Sequence, residues 1–240
     1  MDIQSAAPQS GTNSKPRILC LHGGGTNSGI FNIQTVRIQR ALSPTFEFIF
    51  IDAPFESPPG PGVLPVFEDC GPFYRWTKSL WTCPGEDGMP EATRKLIDET
   101  VRSRGGYGRV VGVLGFSQGA KLAAGLLLEQ QLRGKQGEGF KFGVFLMGVT
   151  PPLTSNSLTA EQKKVLITVP SVHVVGLDDP WLSEGRKLYD EHFDWKTARK
   201  MEFQVEHRLP IIEAETKMIC DEISRLYRET HGRRHVHLTE

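Results

Sequence analysis

The chain has 240 residues, long enough to bury a full hydrophobic core, and α/β folds of this length are often one domain. Its 28 Lys and Arg balance 28 Asp and Glu, so no overall field draws it to nucleic acid or to an anionic membrane surface, and a small molecule or a carrier is the expected partner. Cys20, Cys70, Cys83 and Cys220 are scattered without a C-x-x-C pair in a chain too large to need disulfide staples, which fits reduced thiols in a cytoplasmic setting.

Residues 1 to about 15 are small and polar, with neither a basic nor an apolar leader segment. They are expected to be a disordered lead-in, because they bury almost nothing. From residue 16 to about 230, short runs rich in Val, Ile, Leu and Phe alternate with longer amphipathic stretches. This alternation predicts an α/β class, with a mostly parallel central sheet and helices on both faces. The predicted strands are 17–21, 46–51, 109–114, 141–147, 171–175 and 200–205. No apolar run approaches the ~20 residues that span a bilayer.

Between the second and third strands, residues 53–90 are dense in Pro and Gly and carry Phe55, Phe67, Phe73, Tyr74, Trp76 and Trp81. So long a connection is unusual in a compact domain. It reads either as a loop whose aromatics pack on the body of the domain or as a lid or pocket wall for an apolar substrate. Pro90 then opens a helix over 91–103, and residues 118–132 place Ala120, Ala123, Ala124, Leu127 and Leu128 at helical spacing. A last helix follows Pro210, with Ile212, Met218, Ile219, Ile223, Leu226 and Tyr227 on its apolar face, and 231–240 form a polar tail whose Arg233 and Arg234 read as a solvated end.

The chemistry starts at Gly115-Phe116-Ser117-Gln118-Gly119. So short a G-x-S-x-G string arises by chance, but here it follows a β-branched run and opens a helix, the context a nucleophile turn requires. A serine hydroxyl is a poor nucleophile at neutral pH, so it needs a base, and the base needs an acid to orient it. In this arrangement the chain order is Ser, acid, His. The strand at 171–175 runs into Asp178-Asp179, of which Asp179 is favoured over Asp178 as the acid, and the strand at 200–205 leads to His207 as the base. The other histidines fit less well: His173 sits inside a strand, His192 on or near a helix end, and His231, His235 and His237 in the tail.

Acyl transfer also needs donors for the developing oxyanion. The backbone N–H of Gln118 is one candidate, and the loop His22-Gly23-Gly24-Gly25 after the first strand offers Gly24 as the second. That loop lacks the G-x-x-x-x-G-K-[ST] and G-x-G-x-x-G spacings of phosphate cradles, and no H-E-x-x-H or paired C-x-x-C marks a zinc site. No metal and no cofactor is expected.

With these residues assembled, the chain resembles the fungal serine hydrolase family of small α/β-hydrolases, which includes polyketide-releasing thioesterases. The resemblance spans roughly 16–227 and rests on ILCLHGGGTNSGIF at 18–31, IDAPF at 51–55, GPFYRW at 71–76, GVLGFSQGA at 112–120, HVVGLDDPW at 173–181 and HRLP at 207–210. It implies an α/β-hydrolase fold, with Ser117 as nucleophile, Asp179 as acid and His207 as base. It further implies hydrolysis of a carboxylic ester or acyl thioester, with release of a polyketide-type chain from a synthase carrier domain among the family's activities. The Glu206-His207-Arg208 surroundings of the base depart from the Gly-rich run that some relatives carry. A general carboxylesterase shares every catalytic residue, and a non-catalytic acyl-binding module is expected to have lost one.

Overall fold

The computed structural model describes residues 14–78, 88–134 and 139–232. Most of the lead-in, Trp81 and Cys83 of the insertion, and residues 233–240 of the tail lie outside the described residues. The elements in chain order are β1 (Arg17–Leu21), α1 (Ser28–Gln34), α2 (Val36–Leu42), β2 (Glu47–Ile51), β3 (Phe55–Ser57), β4 (Phe73–Arg75), α3 (Glu91–Ser103), β5 (Val110–Phe116), α4 (Gln118–Arg133), β6 (Phe142–Leu146), α5 (Ala160–Lys163), β7 (Ser171–Gly176), α6 (Leu182–His192), β8 (Ala198–Phe203) and α7 (Glu213–Gly232).

Among the described residues, six of these strands form one sheet in the order β2-β1-β5-β6-β7-β8, and every adjacent pair is parallel. Period-two alternation divides the core between the two faces. In β1, Leu19 and Leu21 pack with Ile97 and Val101 of α3 and with the alanines and leucines of α4. Ile18 and Cys20 point the other way, to Phe31 of α1, Ile38 and Leu42 of α2, and Ile219, Ile223 and Leu226 of α7. The central strand β5 is buried along its whole length, which is why it reads as an unbroken apolar run.

The differences from the sequence reading are local. The last strand is 198–203 rather than 200–205, so His207 lies four residues past the strand end. The last helix begins at Glu213, leaving Pro210 ahead of it, and Ile212 and Met218 stand 59% and 54% exposed rather than on the buried face. The pattern counted apolar residues without knowing how wide a stripe α2 and the sheet would cover. A small antiparallel hairpin, β3–β4, stands inside the insertion, where the Pro and Gly content had obscured it.

In this order the chain leaves β1 for β2 on one side and returns to β5 on the other. The crevice at the carboxyl ends of β1 and β5 is therefore the switch point at which open α/β sheets bind ligands. The glycine loop follows β1 there, and Ser117 follows β5.

Candidate active site

Ser117 sits between β5 and α4 at φ 52° and ψ −115°, a left-handed conformation that costs of order 1–3 kcal/mol for a residue with a side chain. The turn is held from both ends. Ser117 N–H donates to Leu146 O on β6 at 2.9 Å, and Ser117 O accepts from Lys121 N–H at 3.1 Å. The two flanking glycines have steric reasons to be there. A Cβ on Gly115 would lie 2.3 Å from Gly119 O, and one on Gly119 would lie 2.1 Å from Leu21 O at the end of β1. Both distances are impossible contacts, so the close approach of α4 to β1 and β5 requires bare backbone.

Asp179 follows β7 and is 7% exposed. Its Oδ1 accepts the Trp181 N–H at 2.8 Å, and its Oδ2 lies 2.7 Å from Nδ1 of His207. Both carboxylate oxygens are thus committed, and with Nδ1–H donating, the lone pair of the imidazole is on Nε2. The ring is wedged between Trp181, at 4.6 Å between centroids, and Phe116, at 5.0 Å, so the residue just before Ser117 packs against the imidazole. The neighbouring carboxylate, Asp178, turns away and accepts from Gln204 Nε2 at 2.5 Å.

On the other side of Ser117 lies the loop after β1. A Cβ on Gly23 would stand 2.9 Å from Phe116 Cδ1 and 3.6 Å from Ser117 Cβ, and one on Gly24 would stand 3.1 Å from Gln118 Oε1, so the glycine loop runs close beside the turn at Ser117. The Gly25 N–H donates to Tyr74 O, and among the described residues nothing accepts from the N–H of Gly24 or of Gln118. The Gln118 amide also lies in the first turn of α4, where the helix dipole favours negative charge.

The structure therefore brings Asp179 to His207, seats His207 against the residue before Ser117, and sets Gly24 beside Gln118. Asp178, His173 and His192 are not part of this grouping: His173 is buried in β7 against Phe145, and His192 ends α6 with Nε2 3.0 Å from Thr150 Oγ1. Among the described residues there is no cluster of three or more His, Cys, Asp or Glu arranged to hold a metal. No helix among them is long and apolar enough to cross a membrane.

The sequence reading missed the role of Trp76, which it took for one more aromatic of the insertion. Trp76 is 0% exposed and lies under the glycine loop, its indole N–H donating to His22 O at 2.8 Å. Its only sequence signal is its place in GPFYRW. A groove of about 290 Å³ is lined by Ile33, Val36 and Ile38 of the α1–α2 region and by Leu209 and Pro210, with Arg37 and Arg208 at its edge.

Residues 12–219 match the family model described as Serine hydrolase (FSH1). The chain is 38% identical over 221 residues to Esterase FUS5 of Gibberella moniliformis, covering 92% of this chain and 91% of that one. It is also 38% identical over 234 residues to Esterase pigG of Monascus ruber, covering 82% and 85% of the two chains. Among solved structures, acyl-protein thioesterase 2 of Zea mays superposes with a TM-score of 0.58 at 18% identity, over 88% of this chain and 94% of that one. SOBER1 of Arabidopsis thaliana gives 0.56 at 18% identity, over 89% and 100%. The chain belongs to the FSH1 serine hydrolase family and is a hydrolase with the α/β-hydrolase fold.

Proposed function

We propose that this hydrolase works through an acyl-enzyme on Ser117. His207 takes the Ser117 proton as the hydroxyl attacks the acyl carbonyl, and Asp179 holds the imidazole in its productive tautomer and stabilises its charged form. The N–H groups of Gly24 and Gln118 receive the oxyanion, where each preorganised donor is worth ~2.7–4 kcal/mol. His207 returns the proton to the leaving thiol or alcohol, and water repeats the sequence on the acyl-enzyme. The observation that carries this reading is the 2.7 Å contact of His207 Nδ1 with Asp179, on an imidazole packed against the residue preceding a left-handed serine.

For the substrate, we favour an acyl thioester or carboxylic ester with a bulky apolar acyl group of polyketide type, carried by a synthase carrier domain. The resemblance to a family that includes polyketide-releasing thioesterases supports this, and the partly apolar groove that begins at Arg208, the residue after His207, carries Arg37 and Arg208, which suit an anionic group on the substrate or its carrier. The second reading is a general carboxylesterase acting on small esters, favoured by the relatives' names, which say esterase and no more. We further take residues 16–230 as one catalytic domain with 53–90 as its pocket insertion, and the cytosol as its setting on the scattered cysteines.

One set of assays tests both levels. Ser117→Ala is expected to abolish hydrolysis, and wild-type turnover by that variant overturns the mechanism. With the wild-type enzyme, a long-chain acyl-pantetheine thioester is expected to be hydrolysed with higher kcat/KM than p-nitrophenyl acetate. The reverse order favours the general esterase.

A further inference from the structure

Several hydrogen bonds on the glycine loop converge on the two peptides before Gly24. His22 is 0% exposed. Its Nε2 accepts the Ala53 N–H at 3.0 Å, so the proton of the neutral ring is on Nδ1, which donates to Gly23 O at 2.7 Å. Thr26 Oγ1 donates to the same oxygen at 2.8 Å and lies 3.1 Å from His22 Nδ1. The preceding carbonyl, His22 O, takes the Trp76 indole N–H.

The Gly23 carbonyl and the Gly24 N–H belong to one peptide unit, which is planar and trans. Two donors on the oxygen therefore fix the direction of the N–H on the opposite edge. Without them a Gly-Gly peptide is among the freest units in a chain. Trp76 also reaches the second donor. Its backbone N–H gives a 2.9 Å bond to Gln118 Oε1, Gln118 Nε2 donates to Thr77 Oγ1 at 3.1 Å, and Thr93 Oγ1 of α3 pins Trp76 O at 2.8 Å. Thr26 is tied to β4, the strand that leads into Trp76, since Tyr74 N–H donates to Thr26 O at 2.7 Å.

We propose that Thr26, His22 and Trp76 are positioning residues that fix the direction of the Gly24 N–H and its spacing from the Gln118 N–H. The insertion then acts on the reaction through hydrogen bonds. This rests on the reading of Gly24 and Gln118 as oxyanion donors. It also accounts for a burial pattern that pocket lining does not: Trp76 is fully buried and bonded at its indole nitrogen, its backbone N–H and its backbone carbonyl.

Positioning and mere structural support differ in what they do to the transition state. Thr26→Val keeps the shape and removes the donor, Thr26→Ser keeps the donor, and Trp76→Phe keeps a ring but removes the indole N–H. Thr26→Val and Trp76→Phe are each expected to lower kcat about tenfold or more with KM changed less than twofold, against the ~10²–10³-fold cost of losing an oxyanion donor outright. Affinity for a trifluoromethyl ketone, which forms a tetrahedral adduct, should fall in parallel with kcat, while affinity for the product carboxylate stays level. Thr26→Ser should restore most of kcat.

Folded Thr26→Val and Trp76→Phe proteins with wild-type kcat overturn the proposal. So does an equal loss of affinity for ketone and carboxylate, or a Thr26→Ser variant as impaired as Thr26→Val. If either changed side chain prevents folding, the remaining variant decides on the same readouts. Ser117→Ala run alongside separates the levels, since retained turnover there defeats the underlying mechanism. Its loss with unaffected positioning variants defeats only this inference.

Discussion

The two sides of Ser117 are built on opposite principles. On the β7–β8 side, His207 is paired to a carboxylate and its side chain keeps 15% exposure. On the β1 side, His22 has no exposure and neutral partners on both ring nitrogens, and burial pushes its pKa down to about 4. A protonated His22 would set a second N–H against the Ala53 N–H, an arrangement with no acceptor. The comparison teaches that one imidazole faces a carboxylate, whereas the other is closed in by neutral partners on both ring nitrogens. Position along the chain does not distinguish them, since each follows a strand end.

The sharpest way to break this contrast is at the carboxylates. Asp179→Asn leaves the shape of the charged side intact but removes the group that fixes the His207 tautomer, and kcat is expected to fall about 10⁴-fold. The adjacent Asp178→Asn, whose partner is Gln204, should stay within a few-fold of wild type. A comparable loss in both variants, read from steady-state kinetics on one ester, would mean that the pairing with His207 is not what sets the rate.

A smaller effect is expected from the buried histidines in stability. Desolvation holds the folded-state pKa of His22 at about 4, while burial, with the Lys200 charge adding to it, holds His173 at about 3, both below the ordinary 6.5. Between those values and 6.5 the unfolded chain binds more protons than the folded one, so stability rises with pH in this window and is lost as pH falls from 6.5 toward 4. Thermal unfolding at pH 7.5 and 5.5 should show a lower midpoint at 5.5. His173→Gln should shrink the difference, and an unchanged difference in that variant would remove His173 from the account.

Much of the architecture was legible because it is periodic. The apolar run predicted as a strand at 109–114 is β5, Val110–Phe116, buried along its whole length, and Ala120, Ala123 and Ala124 marked a helix pressed on the sheet. The Asp179–His207 pair was legible because each residue lies just past a strand end, in the chain order expected after Ser117. The hairpin β3–β4 was not, since three-residue strands give too short an alternation to stand out among prolines. Nor were the bonds of Trp76 and Thr26 to the glycine loop. They join residues about 50 positions apart or lie within a loop, and neither periodicity nor motif spacing encodes which carbonyl an indole N–H will reach. Ile212 and Met218 failed for a related reason: a stripe of apolar residues does not say how much of it a neighbour will cover.

The central claim is that the acyl group passes through Ser117. Rapid mixing of enzyme with an activated ester, quenching in acid and peptide mass analysis tests it directly. The account expects a burst of leaving group and an acyl mass on the peptide containing Ser117, absent from Ser117→Ala. Turnover with no acyl-enzyme on Ser117 under burst conditions, or an acyl group found on another residue, would contradict it.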